Sequence, residues 1–308
     1  MLKRFVNECP LPIINDNIHL GKKIGEGTSE VYQATVKDKD YAVKIYNSNI
    51  YDCVNDFYNC VLAECNILHK LHDTKQTISI GGVSCFENED DDLTIYLFME
   101  KMQVDLYDYI QDQSKFWISS RKKDDKFPTK YVVFNKEDKL YWCFTMSLSE
   151  KIKIMKSLLQ AIVELHSKKI VHADLKPDNI AYHYDGKQQH IKLIDFDGSR
   201  YMKEYAEITI DRHLGTHGYR APEQDEYKLS YKSDIYSVGV IIIELWNGDI
   251  WYEGEYFKDC RKEALYSLRK LEKINPEFGK YLRRCIHMNP KLRPTALSLQ
   301  KRMNELFP

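Results

Sequence analysis

The chain has 308 residues, of which 43% are hydrophobic and 30% charged, and this reads as an ordinary globular protein long enough for one large domain or two lobes. Lys and Arg total 45 against 46 Asp and Glu, so the formal charge is -1; that balance gives no support to a sequence-independent nucleic-acid binder, which needs a basic excess. The most apolar run, Val238 to Trp246, is interrupted by Glu244 and falls far short of the ~20 residues needed to cross a bilayer, so no membrane segment is expected.

The N-terminus, MLKRFVNECPLPIIN, lacks the long apolar core of a signal peptide. Ile18–Ile24, Val31–Thr35 and Asp40–Tyr46 predict short strands separated by Gly or Lys-Asp turns. Asn55–Leu71 predicts a helix, because Val61, Leu62, Ile67, Leu68 and Leu71 recur near a 3.6-residue period. Leu93–Glu100 predicts another apolar strand. Residues Gln113–Ser147 read as an insertion with the charged run Arg121-Lys122-Lys123-Asp124-Asp125-Lys126. Within it, Tyr131–Phe134 and Leu140–Phe144 flank the polar Asn135–Lys139 as a hairpin would, serving either as a tolerated surface insertion or as a docking face. Ser149–Ser167, Ser233–Trp246 and Phe278–His287 predict helices.

Strands first and helices later predict an α+β arrangement in two lobes, joined near Glu100–Gln103. The expected division is an N-terminal extension over 1–19, an N-lobe over 20–101 and a C-lobe over 102–308 that carries the insertion at about 113–147. The eight cysteines (Cys9, Cys53, Cys60, Cys65, Cys85, Cys143, Cys260 and Cys285) include no C-x-x-C pair and no accompanying His cluster, so a zinc site is not expected. Scattered thiols without a leader fit the cytoplasm or another reducing compartment.

The segment richest in chemistry is Ile170-Val171-His172-Ala173-Asp174-Leu175-Lys176-Pro177-Asp178-Asn179, on a loop that follows a predicted helix. Further on, the apolar strand Leu193-Ile194 delivers Asp195 to its end, followed by Phe196-Asp197-Gly198. Phosphoryl transfer needs such groups. Asp174 can accept a hydrogen bond from an attacking hydroxyl, and Lys176 can offset charge on a γ-phosphate. Asn179 and Asp195 are hard oxygen ligands of the kind Mg²⁺ takes alongside phosphates and water.

These residues resemble the catalytic and metal-binding loops of eukaryotic-type protein kinases, and Lys176-Pro177-Asp178-Asn179 is similar to the serine/threonine branch. The other parts of the family pattern fall in order. Gly25-Glu26-Gly27-Thr28-Ser29-Glu30-Val31 resembles the Gly-rich phosphate loop, Ala42-Val43-Lys44 the strand lysine and Glu64 its helix partner. Gly215-Thr216 to Ala221-Pro222-Glu223 resembles the end of an activation segment, Ser233-Asp234 to Gly239 the buried helix after it, and Arg293 the partner of Glu223.

The resemblance, spanning about Leu20 to Leu306, implies a bilobal protein-kinase-like fold with a β-rich N-lobe and a mainly helical C-lobe. It also implies ATP and Mg²⁺ as cofactors and a protein substrate phosphorylated on Ser or Thr. Catalysis would fall to Asp174, Lys176, Lys44 and Glu64, and metal binding to Asn179 and Asp195. Gly25, Gly27, Val31, Ala42, Lys44, Glu100, Met102, Asp105 and Ala181 would bind the nucleotide, with Met99 as gatekeeper and adenine contacts from the backbone of Glu100 and Met102.

Three positions depart from the pattern. Glu30 stands where the phosphate loop has its third glycine, where a carboxylate repels phosphate unless it turns to solvent. Ala173 replaces the arginine that binds an activation-loop phosphate, which implies activity independent of that switch. Asp197 replaces a glycine beside the metal ligand. The alternative reading is a pseudokinase that acts as a nucleotide-binding scaffold or interaction module.

Overall fold

The computed structural model describes residues 1–25, 29–51, 53–89, 92–110, 133–136, 139–142, 146–184, 189–202, 207–247 and 260–308. Its N-terminal half is built on a five-stranded antiparallel sheet in the order β1-β2-β3-β5-β4. The strands are β1 (His19–Gly25), β2 (Glu30–Val36), β3 (Lys39–Asn47), β4 (Ile80–Glu87) and β5 (Leu93–Met99). Helix α2 (Val54–Lys70) connects β3 to β4 and buries Phe57, Tyr58, Val61, Cys65, Ile67 and Leu68, so its apolar stripe faces the core.

The sequence pattern gave no sign of β4 or of the short helix α1 (Leu2–Glu8). Gly81 and Gly82 break the apolar alternation of β4, yet Gly82 is required there. Its φ is +147°, and a Cβ would lie 2.4 Å from the Pro12 carbonyl. That close approach lets residues 12–14 lie along the sheet edge, with Ile14 N–H donating to Val83 O at 2.7 Å and Val83 N–H to Pro12 O at 2.8 Å. Helix α1 packs on α2 and β4; Phe5 is fully buried, and Tyr58 donates to Glu8 at 2.7 Å.

The C-terminal half is mainly helical. A short strand β6 (Val104–Asp105) leads into a helical turn α3 at 106–110. In the insertion, β7 (Val133–Lys136) and β8 (Lys139–Trp142) pair antiparallel, as the hairpin pattern predicts; residues 111–132 and 143–145 lie outside the described residues. Helix α4 (Leu148–Ser167) starts one residue before the predicted Ser149, because the Ser147 hydroxyl caps it by accepting from Glu150 N–H at 3.2 Å.

After α4 come β9 (Ile170–Val171), β10 (Ile180–Tyr184), β11 (Gln189–Leu193), β12 (Arg200–Tyr201), β13 (Glu207–Thr209), α5 (Pro222–Asp225) and β14 (Lys228–Ser230). Helix α6 (Tyr231–Asn247) is apolar on nearly every side and buries its full length from Ser233 to Leu245, as a helix at the centre of a lobe must. Helices α7 (Cys260–Ile274) and α8 (Pro276–Cys285) pack against it, and α9 (Ala296–Leu306) packs on α4 and α8.

The fold is the expected α+β bilobal arrangement. The halves are tied by backbone bonds between residues 76–78 and the end of β11, Leu193 N–H to Gln76 O at 2.8 Å and Ile78 N–H to Leu193 O at 3.0 Å. A Lys192–Glu100 ion pair and a Lys168–Asp73 ion pair reinforce them.

Candidate active site

Strand β3 turns Lys44 inward, where it is 5% exposed, and α2 brings Glu64, 2% exposed, to meet it. The Lys44 ammonium lies 3.3 Å from Glu64 Oε2 and 2.6 Å from Asp195 Oδ1. Burial opposes charge on Lys44, but Glu64, then Tyr46, Asp195 and Asp197, outweigh it and hold the ammonium well above its ordinary pKa. Burial likewise pushes the Glu64 carboxyl up, with Lys44 opposing it, while Lys44 draws Asp195 below its ordinary value against burial. Asp195 adopts φ +61°, a left-handed conformation that Asp tolerates better than most residues, at the sharp exit from β11.

The loop after β9 carries the second group. Asp174 Oδ1 accepts from Thr216 N–H at 2.7 Å and from the Thr216 hydroxyl at 2.8 Å. Asn179 Nδ2 donates to Asp174 O at 2.8 Å and to Oδ2 at 3.3 Å, and its carbonyl accepts from Ile194 N–H at 3.1 Å, next to Asp195. The charge of Lys176 reaches Asp195 as well. Lys44, Glu64, Asp174, Lys176, Asn179 and Asp195 therefore gather in one region between the halves.

The buried Asp234 of α6 holds this loop in shape. Its carboxylate accepts from His172 N–H and Ala173 N–H, both at 3.0 Å, and bonds His166 Nε2 at 2.9 Å. Ala173 adopts φ +69° within that clasp. Opposite it, Gly215 has φ +88°, and a Cβ there would lie 2.9 Å from Ala173 O, so glycine is needed for the two strands of loop to meet.

A family model described as "Protein kinase domain" matches residues 18–303. The chain belongs to the protein kinase family. Calcium-dependent protein kinase 5 of Plasmodium berghei (strain Anka) is 27% identical over 294 residues, covering 92% of this chain and 50% of that protein. Serine/threonine-protein kinase 10-A of Xenopus laevis is 32% identical over 158 residues, covering 47% of this chain and 16% of that protein. The chain thus spans half the length of the first relative and far less of the second.

The residues expected to bind nucleotide fall on β1, β2, β3, β6, β10 and the segment after β5, apart from Gly27, which lies outside the described residues. Ala42 on β3 and Ala181 on β10 are both small and buried. Met99 is the cross-strand partner of Ala42, Ala181 pairs with Asp105, and Met102 is half-buried. Gly25 pairs with Val31 at the mouth of the β1–β2 hairpin; Glu26, Gly27 and Thr28 lie outside the described residues. The Glu100 side chain serves structure, joining Lys192 and accepting from Ser79 N–H at 2.7 Å. Asp105 caps α3 by accepting from Asp108 N–H at 2.7 Å, and burial raises its carboxyl to about 6.

The donor set fits Mg²⁺. Among the described residues no cluster of three His, Cys, Asp or Glu could hold a metal by itself. An ionised Asp195 and the Asn179 amide leave the remaining positions to phosphates and water, the arrangement Mg²⁺ favours.

The structure accounts for two of the three departures. The exposed Glu30 pairs with Lys23 of β1 at 2.6 Å and accepts from the Tyr32 hydroxyl at 3.3 Å; these bonds hold its carboxylate along the sheet surface and lower its pKa. Ala173 is 3% exposed and packs with Val171, Met202, Ile210, Leu214 and Leu229, an apolar cluster that suits a methyl group. Beside Asp197, Arg200 donates to the carbonyls of Asp197, Gly198 and Ser199 at 3.4, 3.1 and 2.9 Å, which ties down the turn before β12.

One residue of this region escaped the sequence pattern. Tyr46, buried on β3, donates its hydroxyl to Glu64 Oε2. Burial first, then the Glu64 charge, raises the phenol well above its ordinary pKa. Its position two residues after Lys44 on a strand was the available signal.

Proposed function

We propose that this protein is an ATP- and Mg²⁺-dependent serine/threonine protein kinase whose activity does not require activation-segment phosphorylation. The observation that carries the reading is the Asp174 carboxylate, held by Thr216 and Asn179 beside the Asp195–Lys44 pair. Asp174 accepts the hydrogen bond of the substrate hydroxyl and aligns its oxygen for attack. Lys44 and Lys176 bind phosphate oxygens, Glu64 orients Lys44, and Asn179 and Asp195 would hold the metal. When bound, Mg²⁺ neutralises charge that develops on the phosphates.

The Ser/Thr assignment rests on Lys176 in the catalytic loop and on the printed name of the relative from Xenopus laevis. Independence from a phosphate switch rests on Ala173, whose buried methyl leaves no guanidinium to receive a phosphate.

The test is incubation of the purified chain with labelled ATP, Mg²⁺ and a generic basic protein. Asp174→Ala should lower transfer by about 10²–10⁴ while ATP binding persists. Equal turnover in the two proteins refutes the assignment. Nucleotide binding without turnover in the wild type shifts the reading to a non-catalytic scaffold.

A further inference from the structure

Glu64 is a buried carboxylate with more than one claimant. Its Oε1 accepts from Phe196 N–H at 3.3 Å and faces Lys44 at 3.4 Å, and its Oε2 faces Lys44 at 3.3 Å and accepts from Tyr46. Lys44 is the divided partner. Its closer contact is Asp195 at 2.6 Å, and a lysine has only three N–H groups to share among two carboxylates and nucleotide phosphates. Tyr46 has a single O–H, and it is directed at Glu64.

The pleat of β3 puts residues 44 and 46 on the same face of the strand, so both reach α2. Removing a hydrogen bond from a buried carboxylate leaves a desolvated charge short of a partner, which is costly. The hydroxyl is therefore placed to keep Glu64, and the helix that carries it, against the sheet while Lys44 turns to phosphate.

We propose that Tyr46 is a positioning residue that holds Glu64 and helix α2 inward without depending on Lys44 or on a phosphorylated activation segment. This rests on the kinase reading above and supplies the physical means by which α2 stays in place when Ala173 offers no phosphate receptor.

The test uses the full chain and Tyr46→Phe, which removes the hydroxyl and keeps the ring. The kcat should fall roughly tenfold with a smaller change in the KM for ATP, the loss expected for one hydrogen bond to a charged group. Amide hydrogen exchange in α2 should quicken, while α6 in the other lobe keeps its protection. Lys44→Met alone should leave α2 protected, and Lys44→Met with Tyr46→Phe should not. In a Glu64→Gln background, Tyr46→Phe should change kcat less than twofold.

The proposal is overturned if Tyr46→Phe leaves both kcat and α2 exchange unchanged, if Lys44→Met alone exposes α2, or if α2 and α6 lose protection together, which marks general destabilisation. Should the wild type show no turnover, the kinase reading fails, and the exchange measurements still decide the role of Tyr46.

Discussion

Thr216 grips the Asp174 carboxylate twice, through its backbone N–H at 2.7 Å and its hydroxyl at 2.8 Å, both to Oδ1. The paired bonds leave Oδ2, which Asn179 approaches at 3.3 Å, as the less engaged oxygen, and on the proposed kinase reading it is the one that would meet a substrate hydroxyl. Thr216→Val keeps the shape and removes one charge-assisted bond. Its kcat should fall by about tenfold, with Thr216→Ser close to wild type. Steady-state kinetics check this; a Val variant at full rate means that the hydroxyl does not orient Asp174.

Arg293 meets Glu223 in a bidentate pair at 2.7 and 2.8 Å, and both side chains are almost fully buried. The guanidinium also donates to the carbonyls of His287 and Lys232 at 2.8 Å, which ties α5, α6 and the segment before α9 together. Arg293→Ala strands a buried carboxylate and should cost about 3–5 kcal/mol of stability. Denaturant unfolding monitored by circular dichroism reads it. A cost under about 1 kcal/mol, typical of a surface pair, would count against the buried pairing.

Asp105 gives a pH signature. Burial, outweighing the hydrogen bond from Asp108 N–H, raises its carboxyl from an ordinary 3.8 to about 6, so the folded protein holds this proton more tightly than the unfolded chain. Protonation thus favours the fold, and that contribution disappears as pH rises from about 4 to about 6. Asp105→Asn keeps the oxygen that caps α3 and removes the titration. The melting temperature of wild type minus that of the variant should decline across this window and level off above it. A flat difference contradicts the shift.

The Cys65 thiol donates toward Cys9 and, despite partial burial, brings Cys9 from an ordinary 9.0 down to about 7. Iodoacetamide should label Cys9 with a midpoint near pH 7, read by peptide mass spectrometry. Cys65→Ala should move that midpoint toward 9.0, the ordinary thiol value. A wild-type midpoint already near 9.0 rules the interaction out.

The elements with strong periodicity were legible from the chain alone. The apolar stripe of α2, the apolar length of α6 and the alternation in β2 and β3 each report burial within a few consecutive residues. Helix α9 and strand β4 were not. Helix α9 is short and mostly polar, burying Ala296, Leu299 and Met303, and is started by its Thr295 cap, whose hydroxyl accepts from Ser298 N–H at 3.2 Å, and Gly82 in β4 makes sense only beside Pro12.

What the sequence by itself determined is the set of reactive groups and their order. A loop that must offer Asp174, Lys176 and Asn179 together draws them from adjacent positions, and an apolar strand must end where Asp195 begins. Only the tertiary structure decided what each charge faces. Glu30 turns to Lys23, Ala173 closes an apolar cluster, Asp234 clasps a loop 61 residues upstream, and Tyr46 shares Glu64 with Lys44. Those partners lie far apart along the chain, and a buried carboxylate accepts whichever donor the packed fold brings within reach.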